Sequence, residues 1–148
     1  MVTIKNGNLL EATEDIIAHQ VNCHGVAGGL AAAVFDKWPS AESDYMQLCR
    51  RQNPWALLGI AQLTGQQQDW HIICNLYGQY QPGADYRPES LRKALEQLAR
   101  FAKTTGRSVA LPYKLSCGIC GGDWNEVQQI IEDTMEGVKC VIYRREGD

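Results

Sequence analysis

The 148-residue sequence has little of several things, and each shortage closes off a class of protein. It has no apolar run long enough to cross a bilayer, and MVTIKNGNLLEATED at the start lacks the apolar core of a secretory signal. It has no cluster of basic residues beyond Arg50-Arg51 and Arg144-Arg145, and the formal net charge is −3, so nothing suggests a nucleic-acid binder that works through backbone charge. Three histidines, His19, His24 and His71, lie far apart without paired spacing, which argues against a metal site. Six cysteines, Cys23, Cys49, Cys74, Cys117, Cys120 and Cys140, are scattered and read as reduced thiols, not as a disulfide framework. Internal repeats and low-complexity tracts are also lacking. One soluble, cytoplasmic domain over residues 1–148 is the expectation, monomeric, with no membrane or nucleic-acid partner.

What the chain does have is glycine in two places. Ser108–Leu111 reads as a short strand ended by Pro112, followed by Gly118, Gly121 and Gly122 and then by Asp123 as a helix N-cap. Trp124, Val127, Ile130, Ile131 and Met135 then recur at helical spacing. The same order occurs earlier: a strand over Ile16–Val21, a glycine-rich loop over Asn22–Gly29 (NCHGVAGG) and a helix over Leu30–Lys37 stopped by Pro39. Strand, glycine-rich loop and helix together aim backbone N–H groups and a helix N-terminus at one spot, which suits a phosphate. Two such loops would clamp a diphosphate. Each also has a plainer reading as an ordinary strand-to-helix turn.

The remaining pattern predicts a strand over Val2–Lys5, a helix capped by Ser40 running to about Gln52, and a hairpin of Gly59–Leu63 with Trp70–Leu76. A long polar loop spans Gly78–Arg87, an amphipathic helix spans Glu89–Thr104 with Leu91, Ala94, Leu95, Leu98 and Phe101 inward, and Lys139–Tyr143 is a closing strand. Strands alternating with helices imply a three-layer α/β/α fold on a mixed, partly parallel sheet, with ligands beyond the carboxyl ends of the strands.

Order and motifs together resemble a macrodomain, the ADP-ribose-binding fold, over nearly the whole chain. Gly7-Asn8-Leu9-Leu10 stands where the family has Gly-Asp and an apolar pair, and Ile17–Asn22 is similar to its strand ending in asparagine. Gly25–Leu30 resembles the first phosphate loop. Ser116–Trp124 and Asn75–Gln79 resemble the subgroup of phage and bacterial relatives of the yeast ADP-ribose-1''-phosphate phosphatase. The resemblance implies a bacterial or phage-encoded protein that binds ADP-ribose or an ADP-ribosylated molecule without a cofactor. It also implies hydrolysis of a terminal phosphomonoester, ADP-ribosyl or acetyl ester group, with a non-catalytic reader module as the alternative. Contacts are implied for Asn8, Leu9, Gly25, Val26, Gly28, Gly29, Leu30, Ser116, Cys117, Gly118, Ile119, Cys120 and Gly121.

Three departures from the family pattern are visible. Asn8 replaces an aspartate, the first loop is one residue shorter, and Cys120 stands near where glutamate-specific macrodomains carry a catalytic aspartate. No matching lysine occurs in Asn75–Gln81, so a lysine–aspartate mechanism is not expected.

For chemistry, Asn22 would orient the distal ribose, or merely satisfy a strand end. His24 has a side chain suited to proton transfer, or is a solvated loop histidine. Asp123 would activate water, or only cap its helix; Tyr77, Tyr80 or Tyr86 would cover a ring, or only decorate a loop. Cys117-Gly118-Ile119-Cys120 matches a Cys-x-x-Cys redox pattern, though Gly121-Gly122 separate it from the helix that would lower a thiol pKa.

Overall fold

The computed structural model describes residues 1–147. Six strands form one sheet: β1 (Val2–Asn6), β2 (Ile16–Val21), β3 (Ala61–Gly65), β4 (Ile72–Tyr77), β5 (Val109–Pro112) and β6 (Cys140–Arg144). Their order is β1-β6-β5-β2-β4-β3, parallel throughout except for the antiparallel β3–β4 hairpin at one edge. The mixed α/β/α expectation is met.

The two-residue period of the strands divides the core between the faces. Ile16, Ala18, Cys74, Leu76, Val109, Leu111, Cys140 and Ile142 pack beneath α4 (Pro88–Thr105) and α5 (Trp124–Thr134), against Leu91, Leu95, Leu98, Val127, Ile130 and Ile131. Ile17, Val21, Ile73, Tyr77, Ala110 and Val141 face the other way, onto α1 (Gly29–Lys37), α2 (Pro39–Arg51) and the single turn α3 (Pro54–Leu57). These strands read as continuous apolar runs because both of their faces are covered.

Several boundaries differ from the sequence reading. Ser40 does not cap α2: the helix opens at Pro39, whose fixed φ and missing N–H suit the first helical position. Asn53-Pro54 ends α2 but also begins α3, with the Asn53 side chain accepting from Trp55 N. A short 3-10 turn over Leu9–Glu11, capped by Asn8, was not anticipated.

What positions the site is the switch between β2 and β5. They are parallel neighbours, Ile16 opposite Val109 and Ile17 opposite Ala110. The chain leaves β2 through α1 and α2 toward β4, and leaves β5 through α5 toward β6, on the opposite side. Such a divergence opens a crevice at the carboxyl ends of the two strands. Both glycine-rich loops start there.

Candidate functional site

A cavity of about 960 Å³ occupies that crevice, walled by both loops, the Asn8–Leu10 turn and the Gln79–Gly83 segment. Of the residues singled out from the sequence, Asn8, Leu9, Asn22, Val26, Gly28, Gly29, Leu30, Ser116, Gly118, Ile119 and Cys120 line it. Val26, Leu30 and Ile119 are exposed, 54%, 41% and 84% respectively, so the mouth carries apolar side chains from both loops. Leaving large apolar groups in water is unfavourable unless something covers them.

The remaining candidates lie elsewhere. Tyr77 is fully buried in the core beneath α2, its hydroxyl donating to Gln62 Oε1 at 2.8 Å; the strand's two-residue period turns it away from the cleft. His24 is exposed outside the cavity wall, its ring edge-on to Tyr80 at 4.7 Å. Gly25 turns with φ +74 against Met46 and Cys49. Gly121 (φ +88) and Cys117 shape the second loop without lining the cavity. Asp123 lies outside the wall as well; its side chain accepts from Asn125 N at 3.0 Å and closes the N-terminus of α5. The expected helix N-terminus behind the second loop is therefore already capped.

The first loop provides the open one. The N-cap of α1 is Gly28, extended at φ −140, and no side chain caps it. The first-turn N–H groups of a helix have no intrahelical acceptor, and they carry the positive end of the macrodipole. Gly28, Gly29, Leu30 and Ala31 all line the cavity. In the second loop Cys117 N, Gly121 N and Gly122 N donate to Lys114 O, Gly118 O and Ser116 O. That leaves the N–H groups of Gly118, Ile119 and Cys120 without a protein acceptor among the described residues. Gly122 is required for this turn, since a Cβ there would stand 2.5 Å from Ser116 O and 2.8 Å from the Tyr86 ring.

Charge points the same way. Although the chain is net negative, the lining residues include Lys114 and Arg145 and, among the described residues, no aspartate, glutamate or histidine. The charged lining among the described residues suits an anion.

Asn22 is held by its own loop. Its Nδ2 donates to Val26 O at 2.7 Å, while Oδ1 accepts from His24 N and from the Tyr45 hydroxyl, each at 2.9 Å. Its amide fixes the loop that presents α1. Asn8 similarly spends its Oδ1 on Leu10 N at 3.0 Å.

Sequence reasoning missed Gln20, which joins the walls. Its Oε1 accepts from Ser116 Oγ at 2.9 Å, and its Nε2 donates to Cys120 Sγ at 3.5 Å and Gln79 Oε1 at 3.4 Å. Gly78 leaves room for it, for a Cβ there would meet Gln20 Oε1 at 2.5 Å. A polar residue beside His19, in a strand whose other four residues are apolar, was the available signal. Lys114 and Tyr143 were also missed; the Tyr143 hydroxyl donates to the buried Glu14 at 2.6 Å, and burial followed by that carboxylate pushes its pKa up.

In the Cys-x-x-Cys pattern, the surroundings of Cys117 disfavour a thiolate. Burial, then the negative Asp123, pushes Cys117 up to about 11, opposite to the depression such chemistry needs. All six cysteines are free, and the described residues contain no cluster suited to a metal ion. No helix among the described residues is long and apolar enough to cross a membrane.

The model of the Macro domain family matches residues 18–131. The chain belongs to this family. Its relatives include the ADP-ribose 1''-phosphate phosphatase of Meyerozyma guilliermondii, 27% identical with 82% of this chain and 85% of that protein covered. The DNA ADP-ribosyl glycohydrolase of Mycobacterium tuberculosis is 28% identical over 99% of this macrodomain, which spans 43% of that protein's length. Thermosipho africanus DarTG, solved in complex with ADP-ribose, shares the fold at a TM-score of 0.85 and 16% identity, covering 99% of this chain and 42% of that one.

Proposed function

We propose that this macrodomain binds an ADP-ribose derivative with its diphosphate between the N-terminus of α1 and the Gly118–Cys120 backbone, and hydrolyses a terminal group from it. The observation that carries the reading is the cavity's polarity. Among the described residues, its charged side chains are cationic and two runs of N–H groups lack protein acceptors. Fixed donors of this kind bind a diphosphate and later stabilise charge as it develops on a departing group. The names of the fungal and mycobacterial relatives, a phosphatase and a glycohydrolase of ADP-ribose derivatives, support the class of reaction.

Among the terminal groups, a phosphomonoester fits best. With His24 and Asp123 outside the wall, no carboxylate or imidazole among the described residues lines the cavity to activate water. The base is then a phosphate oxygen of the substrate. Water attacks the terminal phosphorus and one of its protons passes to that oxygen; as the P–O ester bond breaks, that proton is handed on to the departing sugar oxygen, leaving a sugar hydroxyl and inorganic phosphate. Turnover is modest, since no tuned base assists.

The same lack of a base favours one rival, a reader that holds ADP-ribose without chemistry. Calorimetry with ADP-ribose tests the shared premise, and no measurable heat at millimolar ligand would end both readings. Incubation with ADP-ribose-1''-phosphate, acetyl-ADP-ribose and an ADP-ribosylated oligonucleotide then separates them. Phosphate release from the first is expected; tight binding without product from any of the three leaves the reader.

A further inference from the structure

The two ends of the cavity differ in chemistry, and ADP-ribose accounts for only one of them. The carboxyl ends of β1, β6, β5, β2 and β4 follow one another in that order. At the β2–β4 end the lining is neutral and hydrogen-bonding, from Gln20, Asn22, Gln79 and Ser116. Neutral amides and a hydroxyl suit a sugar better than a further anion. At the β1–β6–β5 end the wall turns apolar, with Leu9, Leu10, Pro112 and Tyr143. Apolar cover of this kind suits a nucleobase. The walls thus match a ligand with its nucleoside toward β6 and its terminal sugar toward β4.

The cationic lining stands at the nucleoside end, where ADP-ribose has no charge. Lys114 follows β5 and Arg145 follows β6, and both are exposed and line the cavity. Pro112 is paired with Tyr143, and Tyr113 N donates to Tyr143 O at 2.9 Å, so the two chains leave the sheet side by side. Adjacent strands lie about 5 Å apart, which sets β6 about 10 Å from β2 and its glycine-rich loop. Among the described residues no carboxylate lies within ion-pair distance of the Lys114 ammonium, whose Nζ stands 5.8 Å from the Tyr113 centroid. Lys114 also holds φ at 60, a conformation that costs a residue with a side chain. Strain of this kind persists where the side chain is needed.

We propose that Lys114, with Arg145 beside it, binds a phosphate carried on the nucleoside ribose, so that the preferred ligand is an ADP-ribose phosphorylated on its 2′ or 3′ oxygen. The inference rests on the binding reading above and adds a third phosphate to the same site. Either oxygen lies one sugar away from the diphosphate, on the side of the base. A phosphate there meets an ammonium and has a guanidinium close by, both of the sign that favours it. It serves as a handle and not as the leaving group, which stays at the neutral β4 end. A phosphate on the terminal sugar would meet amides instead of these cations.

The test is calorimetry with ADP-ribose, its 2′-phosphate and its 3′-phosphate on wild type, Lys114→Gln and Lys114→Arg. One of the two phosphates is expected to bind wild type about tenfold tighter than ADP-ribose. Lys114→Gln should erase that gain, Lys114→Arg should keep most of it, and added salt should shrink it. ADP-ribose itself should lose only about twofold in Lys114→Gln, through the weaker pull of a screened charge. If ADP-ribose binds and neither phosphate binds tighter, or the gain survives Lys114→Gln, the subsite falls and the diphosphate site stands. A tenfold rise in KM for ADP-ribose-1''-phosphate in Lys114→Gln also overturns the proposal, since it would put the reacting sugar at the β6 end. Lys114-dependent binding of a phosphorylated form, with no heat from ADP-ribose, keeps the subsite and removes the diphosphate site. Silence from every ligand removes both.

Discussion

Placing a carboxylate at the mouth of α1 should move stability and binding in opposite directions. Gly28 is the N-cap, its backbone is already extended at φ −140, ψ 168, and a Cβ there meets nothing within 4 Å. Gly28→Asp therefore fits without strain and supplies the missing cap. Replacing glycine with a good N-cap is worth a few tenths of a kcal/mol, so the melting temperature stays level or rises by a degree or two. The same carboxylate takes up the first-turn N–H groups and adds a negative charge where the diphosphate is proposed to sit. Two unit charges about 4 Å apart repel by about 4 kcal/mol at an effective dielectric of about 20, equivalent to about 10³ in affinity. Gly28→Asn caps without the charge and should lose far less. Calorimetry with ADP-ribose and a thermal melt on all three proteins make the assay. Affinity for Gly28→Asp within threefold of wild type, alongside an unchanged melt, would refute the α1 anion site.

Other expectations follow from the same geometry. Gly122→Ala puts a methyl 2.5 Å from Ser116 O, so it should destabilise the fold by about 1–3 kcal/mol in urea titrations and abolish ligand binding. Asn22→Ala removes the bonds to Val26 O, His24 N and the Tyr45 hydroxyl, so affinity and turnover should fall together, with about 1–3 kcal/mol of stability. A selective loss of turnover would instead place its amide on the reacting sugar. His19 is buried; its Nε2–H donates to Asn75 Oδ1 at 2.7 Å, its Nδ1 has no partner among the described residues, and desolvation lowers its pKa to about 4. The unfolded chain takes up that proton first. Stability should therefore decline as pH falls from about 6.5 toward 4, by about 3 kcal/mol in total, with His19→Gln flattening the slope in urea melts.

The fold was legible because its signals are local and repeated. Apolar runs at Ile16–Val21 and Val109–Leu111, glycine after each, and the helical spacing of Leu91, Leu95 and Leu98 all act within a few residues. The cavity followed from placing the ends of β2 and β5 together. What could not be read was which face each loop residue presents. His24 and Gly28 lie four positions apart in one loop, yet only Gly28 reaches the cavity, because the Asn22 side chain bends the chain between them through Val26 O. Tyr77 was misplaced for a related reason: strand parity turns it into the core. Gln20 escaped notice because its partners Ser116 and Cys120 are about a hundred residues away in sequence.

Two residues of the second loop, Lys114 at φ 60 and Ser116 at φ 67, sit in backbone territory that glycine would occupy without penalty. Side chains held there cost of order 1–3 kcal/mol each. Both line the cavity, one with an ammonium group and the other with the hydroxyl that reaches Gln20. Glycine at either position would give a more comfortable chain and a poorer wall. The discomfort is therefore a compromise, in which conformational ease is surrendered wherever a side chain is needed at a sharp bend, and relaxing it should yield a sturdier protein with a slacker grip.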